Sequence, residues 1–266
     1  MAVPPNTYSV LAYNTAGASE NKIHDDAVAQ RFGFAGGLVP GVEVYAYMTH
    51  MPVERWGRAW LARGTAECRF RNPVYDGETA IVSARDTPSG LDIDVESRGV
   101  VCAIGKAGLP PAATAPSLGS FARVPECATR PAADETSLAP GTWLGVEPFV
   151  VTAEMAAQYL RDVRESAAIY DREDLLHPGI VLRLGNFALM RNVVLGPWIH
   201  VGSEVQHLAA ARVGNALDAR ARVVANYEHK GHRFVALEVL VVADEVTPVA
   251  LVNHLAIYRP RQTDAV

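Results

Sequence analysis

The chain is poor in cysteine. It has three in 266 residues, Cys68, Cys102 and Cys127, at spacings that fit neither a metal knuckle nor a CxxC redox pair. A disulfide framework and a Cys/His metal centre are thereby excluded, and a reducing compartment, the cytoplasm, is the expected setting. Surplus basic charge is missing too. The 24 Lys and Arg are outnumbered by 29 Asp and Glu, the net charge is −5, and the cations are scattered, so there is no electrostatic footprint for nucleic acid. No apolar run reaches the roughly 20 residues that a membrane span requires. The first ten residues, MAVPPNTYSV, hold neither a basic cluster nor an apolar stretch, so no targeting segment and no membrane partner are expected.

What the chain does have is enough apolar material for a full core. With 49% hydrophobic and 20% charged residues it fits one large domain or two of ordinary size. Seven prolines (110, 111, 116, 125, 131, 140 and 148) punctuate an Ala/Ser/Thr-rich stretch that sustains neither helical nor strand periodicity. We read residues 108–148 as a linker, with an N-terminal unit at 1–107 and a C-terminal unit at 149–266. The two units follow one plan. LVPGVEVYAYM (38–48) and LHPGIVLRLGN (176–186) each lead from a Pro-Gly step into an apolar helix, with Pro40 and Pro178 138 positions apart. Further on, PVYDGETAIVSARD (73–86) matches WIHVGSEVQHLAAARV (198–213), aligning Gly77 with Gly202 at an offset of 125. Upstream, SENKIHDD faces ESAAIYDR (165–172), which sets Asn21 against Ala167 and His24 against Tyr170: the order is kept and the polar residues are lost.

In each unit the pattern predicts a helix followed by strands. The first helix is expected over Val42–Trp60, with a break near Pro52. ETAIVSARD, GLDIDVESRG and VVCAIGKAG alternate apolar with polar residues, as do ALDARARVVANYEHKG, HRFVALEVLVVAD and VALVNHLAIYRPR, and HKGH around Gly231 reads as a hairpin turn. The expectation is an α+β protein, two repeats in which a curled antiparallel sheet wraps a central helix, with the sheets paired side by side.

NKIHD (21–25), FGF (32–34), LVPG (38–41) opening a helix and FRNPVYDGET (70–79), taken in that order, resemble the MaoC-like, or type-2, enoyl-CoA hydratase and dehydratase family. The resemblance covers about residues 8 to 105 well and the second half more weakly, through HPG, WIHVGSEV and VNHLAIYRPR. It implies a double hotdog, an acyl thioester of CoA or a carrier protein as substrate and partner, no separate cofactor, and a homodimer or a hetero-oligomer of hotdog units. The family signature has an Asp, an Asn-Pro two residues later and a His three beyond the Asn. On this chain the Asn is Asn21 and the His is His24, while the Pro is Lys22 and the Asp position holds Ser19.

Adding water to an enoyl thioester takes a base for the water, an acid for Cα, and a donor for the charge that develops on the thioester oxygen. The resemblance assigns the first two to the Asp and His, water orientation to the Asn, and the donor to a backbone N–H at the central helix. His24 titrates near neutrality, Asn21 orients it or a water, and Gly41 supplies the helix N-terminus. Val42 and Tyr45 follow as substrate contacts, Tyr45 with Tyr47, Met48 and Met51 forming either core or acyl-pocket lining. Ser19 is no carboxylate, so Glu20, Asp25, Asp26 or Glu43 must reach the site if a carboxylate is to act there. Ser19 and Asn21 also suit helix capping, and Asp25 and Asp26 a negative first turn. His177 and His200 read as loop histidines. The leading expectation is hydration or dehydration at the α,β bond of an acyl thioester. Two alternatives stand beside it: a thioesterase directed by Glu43, and a non-catalytic acyl-binding subunit for which Ser19 would be the mark.

Overall fold

The alternation read from the sequence reappears as burial. In the strand Gly90–Ser97, Leu91, Ile93, Val95 and Ser97 are buried and the residues between them are not. The computed structural model describes residues 6–261. In the first half, strand β1 (Asn6–Leu11) precedes helices α1 (Asp26–Arg31), α2 (Gly41–Trp56) and α3 (Arg58–Arg63). Strands β2 (Thr65–Phe70), β3 (Thr79–Thr87), β4 (Gly90–Ser97) and β5 (Val100–Gly108) follow. The second half has β6 (Trp143–Val150), helices α4 (Ala153–Asp162), α5 (Ile169–Glu173) and α6 (Pro178–Met190), then β7 (Ile199–His207), β8 (Ala216–His229), β9 (His232–Ala243) and β10 (Thr247–Arg259). All ten strands join one antiparallel sheet in the order β1-β3-β4-β5-β2-β7-β10-β9-β8-β6. The halves meet where β2 pairs with β7, from Thr65↔Gln206 to Arg69↔Gly202. This is the side-by-side double hotdog expected. Its two central helices, α2 and α6, are packed together where Gly179 approaches Ala46. Among the described residues no helix is long and apolar enough to cross a membrane.

A shift of 137 positions superposes the repeats, carrying the isolated bridge Leu38↔Tyr75 onto Leu175↔Arg212 and the start of α2 onto that of α6. It also corrects the sequence alignment of Gly77. The partner of Gly77 is Gly214, not Gly202: both have left-handed φ (73° and 90°) and both stand two residues before a strand. Gly202 lies inside β7, where a side chain would meet the Cys68 carbonyl at 2.5 Å. The apolar-aromatic step before each glycine misled the match, because in one case it leads into a turn and in the other it is already strand.

Two boundaries also differ from expectation. Pro52 sits within α2, and the helix breaks instead at Gly57, whose φ of 53° ends it. Met51, Pro52 and Val53 are all buried, so packing holds the helix through the hydrogen bond that proline removes. The stretch read as linker has no strand or α-helix over 109–142, but its last residues form β6, with Pro148 at a register shift on the sheet edge, where no ladder donor is needed. Phe121 pins the crossing segment to Leu240 and Val242. The HKGH turn is the two-residue hairpin expected, Lys230 and Gly231 both at positive φ between paired His229 and His232.

Burial holds several histidines neutral. It lowers His207 to about 4 and His254 to about 3, and pushes His200 well below the ordinary value. An unfolded histidine takes a proton near pH 6.5, which these folded ones refuse, so the native state binds fewer protons and loses stability as pH falls below 6.5. Each such histidine adds about 1.4 kcal/mol per pH unit until its folded value is reached. Chemical-denaturation midpoints are expected to fall steadily from pH 6.5 to pH 4.5, and a flat profile over that window would contradict neutral burial.

Candidate active site

His24 closes a short 3-10 turn, Lys22–His24, that Asn21 caps by accepting the Ile23 N–H at 3.3 Å. The Asn21 side chain also reaches across the molecule. Its Oδ1 accepts the Trp198 N–H at 3.1 Å and its Nδ2 donates to the Trp198 carbonyl at 3.0 Å, tying this turn to the second repeat. The same amide group stands 3.3 Å from His24 Nε2. On the other side of the ring, Nδ1 lies 2.6 Å from the Leu38 carbonyl oxygen. A carbonyl only accepts, so Nδ1 carries the ring proton and Nε2 presents its lone pair. Burial lowers the His24 pKa, with the Leu38 carbonyl and the Glu43 charge opposing, and the ring is a neutral base.

Beside it is a cavity of about 240 Å³, bounded by the 3-10 turn, the start of α2 and the first residues of β7. The Gly41 N–H has no acceptor among the described residues. A side chain at Gly41 would meet Phe70 at 2.9 Å and His200 Nδ1 at 3.0 Å, so only glycine lets these rings close the cavity floor against the helix N-terminus. That end of the helix carries the positive end of its dipole. Asn21, His24 and Gly41, three of the residues singled out in the sequence, meet here.

The carboxylate expected nearby is not among them. No Asp or Glu lines the cavity. Ser19 also stays out of its lining, its hydroxyl donating to the Asn21 carbonyl at 3.3 Å. Glu20 is exposed and paired with Arg130 at 3.0 Å. Asp25 caps α1 by accepting the Val28 N–H at 3.1 Å, and Asp26 accepts the Gly37 N–H at 2.7 Å. Glu43 is buried, but it points to the other repeat, where its Oε1 accepts from Arg183 Nε at 2.9 Å; the same oxygen accepts from the Thr15 hydroxyl of its own repeat at 3.1 Å. Helical geometry explains this: two positions after Gly41 the side chain has turned by roughly 200°, toward α6, whereas Val44, three positions on, shares the cavity face. Val42 and Tyr45 are likewise core residues outside the cavity, Tyr45 packing near Met48 and Trp60.

Sequence reading missed the residues that the second repeat contributes. Trp198, Asn186 and His200 all line the cavity. His177 and His200, read as loop histidines, are both buried, His177 as the cap of α6, where its Nδ1 accepts the Gly179 N–H at 3.1 Å, and His200 within β7. The one available signal for His200 was the glycine at 202, because a glycine inside a strand marks a bulge.

Comparison of the sequence with protein-family models and with curated proteins finds no match. Solved structures do match in fold. A protein of Chloroflexus aurantiacus assigned as a MaoC-domain dehydratase aligns with a TM-score of 0.63 at 12% identity, covering 98% of this chain and 96% of that one. A Mycobacterium tuberculosis protein described as a double hotdog aligns at 0.62 with 16% identity and 96% coverage of both chains. A Lactobacillus plantarum protein assigned as an oleoyl thioesterase aligns at 0.52 with 12% identity, covering 97% and 98%. At these identities the likeness shows the double-hotdog fold.

The Glu43–Arg183 pair links the two central helices, and Arg183 also lies over the Tyr159 ring at 4.4 Å. Glu43→Leu leaves a largely buried guanidinium without its carboxylate, and it is expected to lower stability by about 1–3 kcal/mol in urea unfolding. Adding Arg183→Met should recover part of that loss, and strict additivity of the two substitutions would show that the pair carries no coupling.

Proposed function

We propose that this protein is a hydratase or dehydratase acting at the α,β bond of an acyl thioester. The observation that carries the reading is the pairing, in one largely apolar cavity, of a neutral His24 with the free Gly41 N–H. The likeness in fold to a protein assigned as a MaoC-domain dehydratase supports it.

One base suffices for the chemistry. With the thioester oxygen against the Gly41 N–H, His24 Nε2, giving up its long contact with the Asn21 amide, takes a proton from water as the hydroxyl oxygen bonds to Cβ. The π electrons move onto the thioester oxygen as an enolate, which the amide and the helix dipole stabilise. The enolate then collapses, Cα takes the proton from His24, and the ring is neutral again. The reverse sequence dehydrates a 3-hydroxyacyl thioester. Asn21, locked by Trp198, holds the Nε2 face of the ring, and Asn186, whose Oδ1 is buried without a partner, lines the same space. At the rim, Arg71 is exposed with no carboxylate partner among the described residues, which suits the phosphate of a pantetheine carrier.

The rival hydrolysis of the thioester has support in the oleoyl thioesterase likeness. Its candidate carboxylate, Glu43, is held by Arg183 outside the cavity, which favours hydration. A screen of crotonyl, branched and polycyclic enoyl-CoAs, following loss of the conjugated double bond alongside release of free thiol, separates the two. Thiol release without loss of the double bond would overturn the hydratase reading. His24→Ala is expected to cut turnover at least ~100-fold in a folded protein. Because the ring must be neutral to accept the proton, activity should hold below pH 6.5 and disappear on further acidification, as His24 is protonated only below its ordinary value. An acid limb centred above 6.5 would assign it to another group.

A further inference from the structure

The first repeat holds the base, and the residue beside the helix N-terminus comes from the second. Strand β7 pairs with β10 through Leu255↔Gly202 and then Ala256↔His200, so Val201 is an extra residue. Residues three apart on a strand ordinarily face opposite sides of a sheet, and the bulge turns His200 and Ser203 to the same side. His200 Nε2 then lies 2.9 Å from Ser203 Oγ, and Ser203 Oγ lies 3.0 Å from Nδ1 of His254, its cross-strand partner on β10. The two imidazoles stack at 4.2 Å. All three residues are buried.

None of this exists in the first repeat. The 137-residue shift puts Ala66 in place of Ser203, and Ala66 pairs with Ala107 where Ser203 pairs with His254. It puts Met48 in place of Gly185, whose missing side chain leaves room for the His254 ring 2.9 Å from where a Cβ would sit. The cluster is a built feature of the second repeat, and its outer end, His200 Nδ1, is a buried nitrogen with no partner beside Gly41 in the cavity wall.

The serine has a single proton to place between two rings, so two neutral settings exist. In one, Ser203 donates to His200 Nε2 and accepts from His254 Nδ1, which leaves the proton of His200 on Nδ1. In the other, His200 donates to Ser203, Ser203 donates to His254, and the proton of His254 sits on its Nε2, buried and partnerless. Each setting leaves one buried N–H without a protein partner, that of His200 Nδ1 in the first and that of His254 Nε2 in the second. Only the first lies in the wall of this cavity beside Gly41, where an acceptor on a ligand can take it, so a bound ligand selects the first setting. It places an N–H in the cavity wall beside Gly41.

We propose that His200, as a neutral imidazole donating from Nδ1, is the second hydrogen-bond donor to the thioester carbonyl oxygen, and that Ser203 and His254 are positioning residues that fix its tautomer. This rests on the reading of the ligand as an acyl thioester and deepens it: a donor contributed by the second repeat stands where the site has no carboxylate. A neutral donor also adds no charge that would desolvate at the cost of the enolate's own stabilisation.

The test reads carbonyl polarisation without needing turnover. 4-Dimethylaminocinnamoyl-CoA, whose absorption moves to the red when its carbonyl accepts hydrogen bonds, is titrated into the wild-type protein. A red shift on binding is expected. In His200→Leu most of that shift should vanish while Kd changes less than about tenfold, and His200→Gln, which keeps an N–H donor, should restore part of it. Ser203→Ala, which leaves the donor but frees its tautomer, should reduce the shift, with the ¹⁵N spectrum of His200 moving from a single Nδ1-protonated form to a mixture. Enoyl-CoA hydration by His200→Leu should drop by about 10²- to 10³-fold, the scale for loss of an oxyanion donor. A wild-type red shift that persists in both His200 variants, or no shift and no binding in the wild type, overturns the proposal. A red shift that depends on His200 in a protein that hydrates no enoyl thioester keeps the proposal and removes the hydratase reading.

Discussion

The antiparallel pairing of β2 with β7 is the constraint on which the molecule depends. Each repeat alone would expose an edge strand with a row of unpaired backbone groups, and the five residue pairs from Thr65↔Gln206 to Arg69↔Gly202 turn two edges into the middle of one sheet. The close approach of the strands also fixes what stands above them. Gly202 has no room for a side chain against the Cys68 carbonyl, and the first residues of β7, which run past the end of β2, reach under the start of α2. His200 arrives at Gly41 by that route. The cavity is therefore a property of the joined halves and belongs to neither.

Much of this was legible in the sequence where the physics is local. The Pro-Gly steps, the alternating strands and the hairpin at Gly231 depend on residues near one another in the chain, and they predicted two helix-plus-sheet repeats. The Asn21-to-His24 spacing was legible for the same reason, since one short turn sets both side chains. The role of Asn21 as a clamp on Trp198 was not, because that contact joins positions 177 residues apart. Nor was the loss of Glu43 to Arg183, a pair between two helices whose relative placement only the packed sheet decides.

His200 shows a different limit. Periodicity assigns faces by parity, and a single bulge inverts parity beyond it without altering composition. His200 therefore read as a loop histidine, and a wrong glycine was taken as the counterpart of Gly77. Left-handed φ at Gly77 and Gly214 identifies the true pair, since a turn before a strand needs that conformation and a strand interior does not.

The relation between Gly185 and His254 constrains how this chain can diverge. Any side chain at 185 would strike the imidazole, and a smaller residue at 254 would leave a hole under the helix beside a serine with one ring still to satisfy. A change at either position therefore asks for a change at the other. The first repeat, with Met48 in place of Gly185 and Ala107 where the second has His254, fills the corresponding space in a different way.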